Sequence, residues 1–307
     1  MQLESVAGMR IGIDLGGTKI AGIVLGSDEQ TLAEQRMPAP RGDYLSTIAA
    51  IRDLVGALQQ QCGPGARAAI GIGMPGSVSP RTGLVQNANS TWLNGRGLKA
   101  DLEAALGQPV RLANDANCFA LSEAADGAAA GARSAFGVIL GTGCGGGLVH
   151  RGQLIDGPHG IGGEWGHNPL PWMRADEFPG PQCWCGRFGC LETFVSGTGL
   201  AADFARETGL ERTGEEIVTL AHEGNAAATA SLARHTDRLG RGLAHVVNLF
   251  DPEVVVLGGG LSHLAHLYRD LPPVIATYVL SDSPGVDIRP PRWGDASGVR
   301  GAARLWD

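Results

Sequence analysis

The chain reads Cys183-Trp184-Cys185-Gly186-Arg187-Phe188-Gly189-Cys190-Leu191-Glu192, and Glu164-Trp165-Gly166-His167 lies shortly before this stretch. The two segments supply three thiols and one imidazole, a complete tetrahedral set for zinc. Four protein ligands would close the coordination shell, so we predict a structural zinc knuckle held by His167, Cys183, Cys185 and Cys190. The alternative is three reduced thiols in a packed core, which the flanking glycines disfavour. Glu164 lies just before the first of these ligands and Glu192 just after the last, and we expect their carboxylates to bind a polar substrate.

Composition excludes several classes of protein. The 307 residues are 43% hydrophobic, enough for one large core or two smaller ones. The net charge of −7 and the lack of a basic block argue against nucleic acid as a partner. There is no run of 18 apolar residues and no cleavable signal, so we expect no membrane partner and a cytoplasmic location. Residues 1–8 show no periodicity and receive no role.

Two hairpins with glycine-rich tips organise the chain. In the first, apolar runs flank Gly16-Gly17-Thr18-Lys19, and in the second they flank Gly141–Gly146. Alternating strands and helices follow each hairpin, which predicts a duplicated α/β architecture with a cleft between its halves. Later predicted elements are helices at Thr193–Glu207 and Ala227–Phe250, a strand at Val254–Leu257 and a final helix at Gly294–Leu305.

The first hairpin tip, Asp14-Leu15-Gly16-Gly17-Thr18-Lys19, has the residues of a phosphate-binding turn. Glycines allow backbone N–H groups to approach phosphate oxygens, and Thr18 and Lys19 add donors. Asp14, at the end of the strand, is expected to hold Mg²⁺ through water. An ordinary Gly-Gly hairpin is the alternative at this position.

The second tip contains a formal G-x-G-x-x-G at residues 141, 143 and 146. A dinucleotide site requires a helix directly afterwards, but Leu148-Val149-His150 continues as a strand, so NAD is excluded. The chain also has no Walker motif. Two phosphate-binding hairpins are instead typical of a sugar kinase or an actin-like ATPase.

Five motifs, in the expected order along nearly the whole chain, resemble those of the ROK family of sugar kinases: Asp14–Lys19, Gly141–Gly147, Glu164–His167, Cys183–Glu192 and Leu257–Gly260. Asn87–Gly95 and Gly166–Met173 more narrowly resemble the bacterial fructokinases of that family. The resemblance implies two actin-like (ribonuclease H-like) domains, use of Mg²⁺ with ATP, and a homodimer. ROK repressors carry a DNA-binding module before the first phosphate turn, where this chain has 13 residues, so we expect an enzyme.

The resemblance also implies roles for individual residues. Asp115 matches the general base that accepts the proton of the attacking hydroxyl. Without the resemblance, Asn114-Asp115 before a helix would be read as an N-cap. The predicted sugar ligands are Asn114, Glu164, His167 and Glu192, with Gly76 and Asn89 on the sugar side. The predicted ATP contacts are Asp14, Gly16, Gly17, Thr18, Lys19, Thr142, Gly143 and the adenosine-side turn Gly258, Gly259 and Gly260.

These observations predict an enzyme that phosphorylates D-fructose at the 6-hydroxyl with ATP. The expected domains are residues 9–113 with 295–307, and residues 114–294. The loop Gly157–Gly163 departs from the fructokinase pattern, so a kinase for mannose, glucose or an N-acetylhexosamine is the first alternative. A non-catalytic sugar-binding regulator is the second. A thiol-based redox or transfer enzyme is the third, which the closed set of metal ligands opposes.

Overall fold

The structure is a computed structural model that describes residues 8–63 and 68–307. Residues 1–7, from the segment without a predicted role, lie outside the described residues. The chain divides into two units. The first contains residues up to Glu123, Leu154–Gly162 and Asp295–Asp307, and the second contains Ala124–Gln153 and Gly163–Gly294.

A five-stranded sheet forms the centre of the first unit, in the order β3-β2-β1-β4-β7. Strands β1, β2 and β3 are antiparallel neighbours, whereas β4 and β7 continue the sheet in parallel from β1. The strands are β1 (Arg10–Leu15), β2 (Lys19–Leu25), β3 (Thr31–Pro38), β4 (Ala69–Met74), the short pair β5 (Ser77–Val78) and β6 (Val85–Gln86), and β7 (Val110–Asn114). The helices of this part are α1 (Tyr44–Gln61), α2 (Leu98–Leu106), α3 (Asp115–Ala125) and the last helix of the chain, α9 (Ser297–Ala303), with 3-10 turns at Thr91–Leu93, Gly294–Ala296 and Arg304–Trp306.

Alternating isoleucine and glycine explains how helices cover both faces of this sheet. Successive side chains of a strand point to opposite faces, and the isoleucines of β1 and β4 pack in one apolar cluster with α1. Glycines occupy the other face, where a Cβ on Gly71 would lie 1.8 Å from the main-chain oxygen of Ala302. A Cβ on Gly12 would lie 2.0 Å from the oxygen of Val299. Helix α9 therefore packs directly against the backbone of the sheet.

The second unit repeats this pattern with a sheet in the order β10-β9-β8-β11-β12. Strands β8 and β9 form an antiparallel hairpin, and β11 and β12 extend the sheet in parallel from β8. These strands are β8 (Ser134–Leu140), β9 (Cys144–His150), β10 (Gln153–Leu154), β11 (Val254–Gly258) and β12 (Asp287–Arg289). Two sheets that each combine a leading hairpin with parallel strands confirm the predicted α/β class with actin-like sheets.

Helices of the second unit bury one large apolar cluster against its sheet. They are α4 (Glu192–Val195), α5 (Gly197–Thr208), α6 (Gly214–His222), α7 (Ala226–Phe250) and α8 (Ala265–Tyr278), with 3-10 turns at Trp165–His167, Ala175–Glu177 and Gly260–His263. The single helix predicted at Thr193–Glu207 is wrong, because Ser196 adopts an extended backbone and accepts a hydrogen bond from Gly199 N–H as the N-cap of α5. Within residues 8–63 and 68–307, no helix combines the length and the apolar character needed to cross a membrane.

Candidate functional site

In the first glycine turn the side chains are exposed and the carbonyl groups accept hydrogen bonds from the protein. Gly16 N–H donates to Lys19 O at 3.1 Å, closing the turn between β1 and β2. The oxygen of Gly17 accepts from Arg41 Nε at 3.1 Å, and the oxygen of Thr18 accepts from a main-chain N–H at 3.0 Å. Thr18 and Lys19 are exposed, and Lys19 Nζ lies 3.5 Å from Asp295 Oδ2 in a solvent-exposed pair. Such a pair contributes little energy, so the lysine is available to an anion.

Asp14 lies near the end of β1 with its carboxylate directed at α9. A Cβ built on Gly298 would lie 3.3 Å from Asp14 Oδ2, so the carboxylate packs close to the first turn of that helix. Burial, and then the charge of Asp115, raise the pKa of Asp14 to about 6. Two neighbouring carboxylates that disfavour each other's charge form a site that a cation would stabilise.

Asn114 and Asp115 stand where β7 passes into α3. Asn114 Nδ2 donates to the oxygen of Gly76 at 3.1 Å, and Asn114 Oδ1 accepts from Ala116 N–H at 2.9 Å. Asp115 Oδ1 accepts from the same N–H at 2.8 Å. The Asp115 side chain stays partly exposed, and desolvation by the surrounding protein raises its pKa. A carboxylate with a raised pKa that still reaches solvent suits a general base.

Gly76 has a structural reason to be glycine. Its φ is 72°, and a Cβ would lie 2.4 Å from the oxygen of Gln86. Asn89 is exposed on the loop after β6, and Asn94 fixes this loop through two hydrogen bonds of 2.9 Å to the main chain of Ala88. The described contacts thus join Gly76 to Asn114, while none of them joins Asn89 to Asn114 or Asp115.

The loop after β10, whose sequence departs from the fructokinase pattern, packs against β5 and β6. Gln86 Nε2 donates to the oxygen of His159 at 3.2 Å and to Ser77 Oγ at 3.1 Å. A Cβ on Gly160 would lie 3.1 Å from the oxygen of Val78. These contacts place His159 and Gly160 beside the strand that follows Gly76.

The second glycine turn, Gly141-Thr142-Gly143, has its three carbonyl groups engaged by protein donors. Gly141 N–H donates to Gly143 O at 3.0 Å, and Gly197 N–H donates to Gly141 O at 2.8 Å. The hydroxyl of Thr198 donates to Thr142 O at 2.7 Å. The N–H groups of Thr142 and Gly143 have no acceptor in the part of the chain that the structure describes. Carbonyls that are bound and N–H groups that are open form the lining that a phosphate requires.

Two helix N-termini border this turn, and they were not predicted as part of the site. Gly197 begins α5 and Gly214 begins α6, and both line cavities of about 670 and 580 Å³ beside Gly141. Helix N-termini carry partial positive charge and favour anions. A signal existed in Thr213-Gly214-Glu215-Glu216, whose first and last residues form a capping box.

The turn Gly258-Gly259-Gly260 reaches the smaller of these cavities through Gly260. Gly259 has a φ of 76°, and a Cβ there would lie 2.5 Å from the oxygen of Leu140. Gly260 is exposed and lines the 580 Å³ cavity together with Gly141 and Gly197. The structure therefore brings together two of the predicted ATP-binding turns, at residues 141–143 and 258–260, around one pair of neighbouring cavities.

His167, Cys183, Cys185 and Cys190 meet as the sequence predicts, with one ligand atom from each lying within 4.8 Å of all the others. Cys185 Sγ lies 3.6 Å from Cys190 Sγ, and Cys183 Sγ lies 3.6 Å from His167 Nδ1. Ligand atoms around a tetrahedral zinc lie about 3.5–3.8 Å apart, given zinc–sulfur and zinc–nitrogen bonds of about 2.3 and 2.0 Å. The four residues therefore fit a zinc ion, with Nδ1 of His167 as its nitrogen ligand.

The thiols of this set differ in their ionisation. Burial, and then hydrogen bonding with Cys185, raise the pKa of Cys190 to about 12. Burial also acts to raise the pKa of Cys185, but the Arg187 N–H and the neighbouring thiols outweigh it and lower that pKa to about 7. Bound zinc would hold all three as thiolates and balance their charge.

Glu192, at the first position of α4, joins the cysteine set to the second glycine turn. Its Oε2 accepts from Cys144 N–H at 2.9 Å, and its Oε1 accepts from Trp184 Nε1 at 2.9 Å. Glu164 occupies the position before the 3-10 turn Trp165–His167, without a side-chain capping hydrogen bond, and is partly buried. The Glu192 side chain thus lies next to both a predicted metal ligand, Cys183, and the end of the second glycine turn.

Comparison with known proteins extends these observations. Residues 10–307 match the model of the ROK family. An N-acetyl-D-glucosamine kinase of Shigella boydii is 40% identical over 301 residues, which cover 97% of this chain and 99% of that enzyme. A ROK hexokinase from Thermus thermophilus superposes with a TM-score of 0.84 at 33% identity and 96% coverage of both chains. A ROK glucokinase from Streptomyces griseus, solved with glucose and AMPPNP, superposes with a TM-score of 0.77 at 28% identity, covering 97% of this chain and 99% of that one.

Proposed function

This chain belongs to the ROK family of sugar kinases, and we propose that it transfers the γ-phosphoryl group of ATP to the 6-hydroxyl of N-acetyl-D-glucosamine. The observation that carries the choice of substrate is the 40% identity with an N-acetyl-D-glucosamine kinase over 97% of the chain. Fructose, the substrate predicted from two short segments, is not confirmed. The alternative of an N-acetylhexosamine agrees better with the relatives.

Asp115 acts as the general base in this proposal. Phosphoryl transfer to an alcohol requires an acceptor for the hydroxyl proton as the new bond forms. The raised pKa of Asp115 brings its basicity closer to the operating pH, and the residue remains partly exposed. Asn114 supports it by sharing the N–H of Ala116, which fixes the start of α3.

The phosphates of ATP bind to the glycine turns. Gly16, Gly17, Thr18 and Lys19 offer one set of donors, and Thr142 and Gly143 offer another beside the N-termini of α5 and α6. The turn Gly258-Gly259-Gly260 leaves room for the nucleoside, because side chains there would collide with Leu140 or narrow the cavity. Asp14 is the residue that would hold Mg²⁺, which would neutralise phosphate charge when bound with ATP.

The sugar hydroxyl groups bind to Asn114, Glu164, His167 and Glu192, with Gly76 and Asn89 beside them. Carboxylates suit this task because each accepts more than one hydroxyl proton in a fixed geometry. His167 turns Nδ1 to the thiols, so its Nε2 remains for a hydroxyl group. Zinc held by His167, Cys183, Cys185 and Cys190 would fix this ring and its tautomer.

A coupled assay of ADP release tests the proposal with Mg²⁺ and ATP. The candidate sugars are N-acetyl-D-glucosamine, N-acetylmannosamine, glucose, mannose and fructose. We expect the highest kcat/KM with N-acetyl-D-glucosamine, and a loss of turnover by about 10² or more in Asp115→Asn. Asp53→Asn, on the exposed face of α1, is the matched control and should leave turnover unchanged. A preference for fructose would restore the sequence-based substrate, and no turnover with any sugar would overturn the kinase proposal.

A further inference from the structure

Glu192 has protein donors on both carboxylate oxygens. Trp184 Nε1 donates to Oε1 and Cys144 N–H donates to Oε2, each at 2.9 Å. Hydrogen bonds to a carboxylate are stronger than those between neutral groups, and two of them at different oxygens fix the plane of the group. The carboxylate of Glu192 therefore connects the indole of Trp184 to the main chain of Cys144, which directly follows the second glycine turn.

Gly143 lets this carboxylate approach the turn. A Cβ on Gly143 would lie 2.6 Å from Glu192 Oε2, closer than any side chain tolerates. The position of Glu192 thus depends on glycine at position 143, which leaves room for the carboxylate, and on the indole N–H of Trp184, which donates to it. A change at either place would release the N–H of Cys144 from its acceptor.

The indole ring of Trp184 is held by more than this hydrogen bond. It meets the ring of His167 edge to face, with centroids 4.9 Å apart, a favourable aromatic geometry. The side chain is nevertheless 60% exposed, so burial does not account for its orientation. Because the only polar atom of this exposed tryptophan donates to the partly buried carboxylate of Glu192, we infer that its role is to orient that carboxylate.

We propose that Trp184 is a positioning residue, which fixes Glu192 through its indole N–H and thereby holds the Cys144 amide at the phosphate-binding turn. This inference rests on the proposed function for its kinetic consequence but not for its structural one. Through these two hydrogen bonds, the position of the Glu192 carboxylate and the geometry of the second glycine turn depend on each other. Loss of the indole donor should therefore weaken the binding of ATP as well as the binding of sugar.

Trp184→Phe tests the link, because phenylalanine keeps a ring against His167 and removes only the donor. The first measurement is hydrogen–deuterium exchange of the Cys144 amide, resolved by NMR, in the full chain without substrates. We expect exchange at least about three times faster than in the wild type, and faster again in Glu192→Gln. The apparent KM for ATP should rise about 3–10-fold, the effect of one lost hydrogen bond. Trp172→Phe, at another exposed tryptophan (48%), is the matched control and should change neither quantity.

Zinc content and thermal stability are measured on the same samples. Unchanged exchange at Cys144 in Trp184→Phe would overturn the inference, even if the protein phosphorylates N-acetyl-D-glucosamine as proposed. Loss of zinc from the variant would also overturn it, because Trp184 would then act on the cysteine set rather than on Glu192. If no sugar is phosphorylated, the proposed function fails, and the exchange at Cys144 still decides whether the link exists.

Discussion

Asn114 and Gly76 are joined by a hydrogen bond of 3.1 Å from the side-chain amide to the main-chain oxygen. The other end of the amide accepts the N–H of Ala116 at 2.9 Å. Because one end must donate and the other must accept, only an amide satisfies both partners. The pair connects the turn after β4 to the first turn of α3, and Asp115 lies at that turn.

Asn114→Asp should therefore damage activity in a way that depends on pH. The new carboxylate would face the oxygen of Gly76 and add a negative charge beside Asp115, whose pKa is already raised. A like charge raises an acid's pKa further, and a base works only when deprotonated. We expect the acidic limb of the kcat profile to move to higher pH, with at least a 10-fold loss of kcat at neutral pH.

Asn114→Ala is the matched control, since it removes the same hydrogen bonds without adding charge. It should lower kcat and, because the Asn114 side chain lowers the pKa of Asp115, move the acidic limb to higher pH by less than Asn114→Asp does. An acidic limb that moves equally in both variants would show that the charge is not responsible.

Local spacing explains which parts of this site could be predicted from the sequence. The cysteine set lies within eight residues and His167 is only 16 residues before Cys183, so the ligands are visible as a pattern. The glycine hairpins are also local, and both appear where the sequence places them. The ROK family is confirmed over residues 10–307.

Contacts across long stretches of sequence were not predictable in the same way. Glu192 was predicted to bind sugar, but its bond to Cys144, 48 residues away, depends on how α4 packs beside β9. The N-termini of α5 and α6 also join the second glycine turn only through packing. The substrate could not be predicted because carboxylates and amides that bind hydroxyl groups serve any hexose. The roles of the individual site residues, the two domain boundaries and the homodimer remain predictions.

Zinc should be required for stability. Cys183→Ser removes one of four ligands, so we expect the wild type to hold about one zinc per chain and the variant to lose it, with a lower Tm. Metal analysis and thermal unfolding measure both effects without an activity assay. Cys62→Ser, at the C-cap of α1 in the first unit, is the control and should keep the metal. A zinc-free Cys183→Ser protein with the wild-type Tm would contradict a structural ion.

Glu177 should be among the most costly carboxylates to neutralise. It is buried, and it accepts hydrogen bonds from Arg241 at 2.6 and 2.9 Å and from Arg238 at 2.9 Å. Glu177→Gln would leave Arg238 with Asp203 and Arg241 with Asp237 as the remaining carboxylate partners, so we expect a loss of about 1–3 kcal/mol of unfolding free energy. Urea denaturation measures this loss, and Glu253→Gln, in an exposed pair with Arg133, should change it little.

The same carboxylate defines an acid-sensitive range. Burial acts to raise the pKa of Glu177, but hydrogen bonds from Arg241, Arg174 N–H and Arg238 lower it to about 2, from an ordinary value of 4.5. A lowered pKa gives stability that is present above the ordinary value and is lost as the pH falls toward 2. The difference between the wild type and Glu177→Gln should therefore shrink below about pH 4.5. A constant difference down to pH 2 would show that charge is not its cause.

Asp14→Asn should stabilise the protein while it removes activity. The pKa of Asp14 rises from 3.8 to about 6 because of burial, and then because of Asp115. For an acid with a raised pKa, folding favours the protonated form, so the contribution of Asp14 to stability is highest below pH 3.8 and is lost as the pH rises through about 6. Asparagine carries no charge, and at pH 7.5 the variant should gain up to about 3 kcal/mol. Denaturation at pH 4 and pH 7.5 should show a gain only at the higher pH, whereas Asp53→Asn should show none at either. An equal gain in unfolding free energy at pH 4 and pH 7.5 would mean that the charge of Asp14 does not destabilise the fold. The pair of Asp14 and Asp115 would then give no support to a cation site.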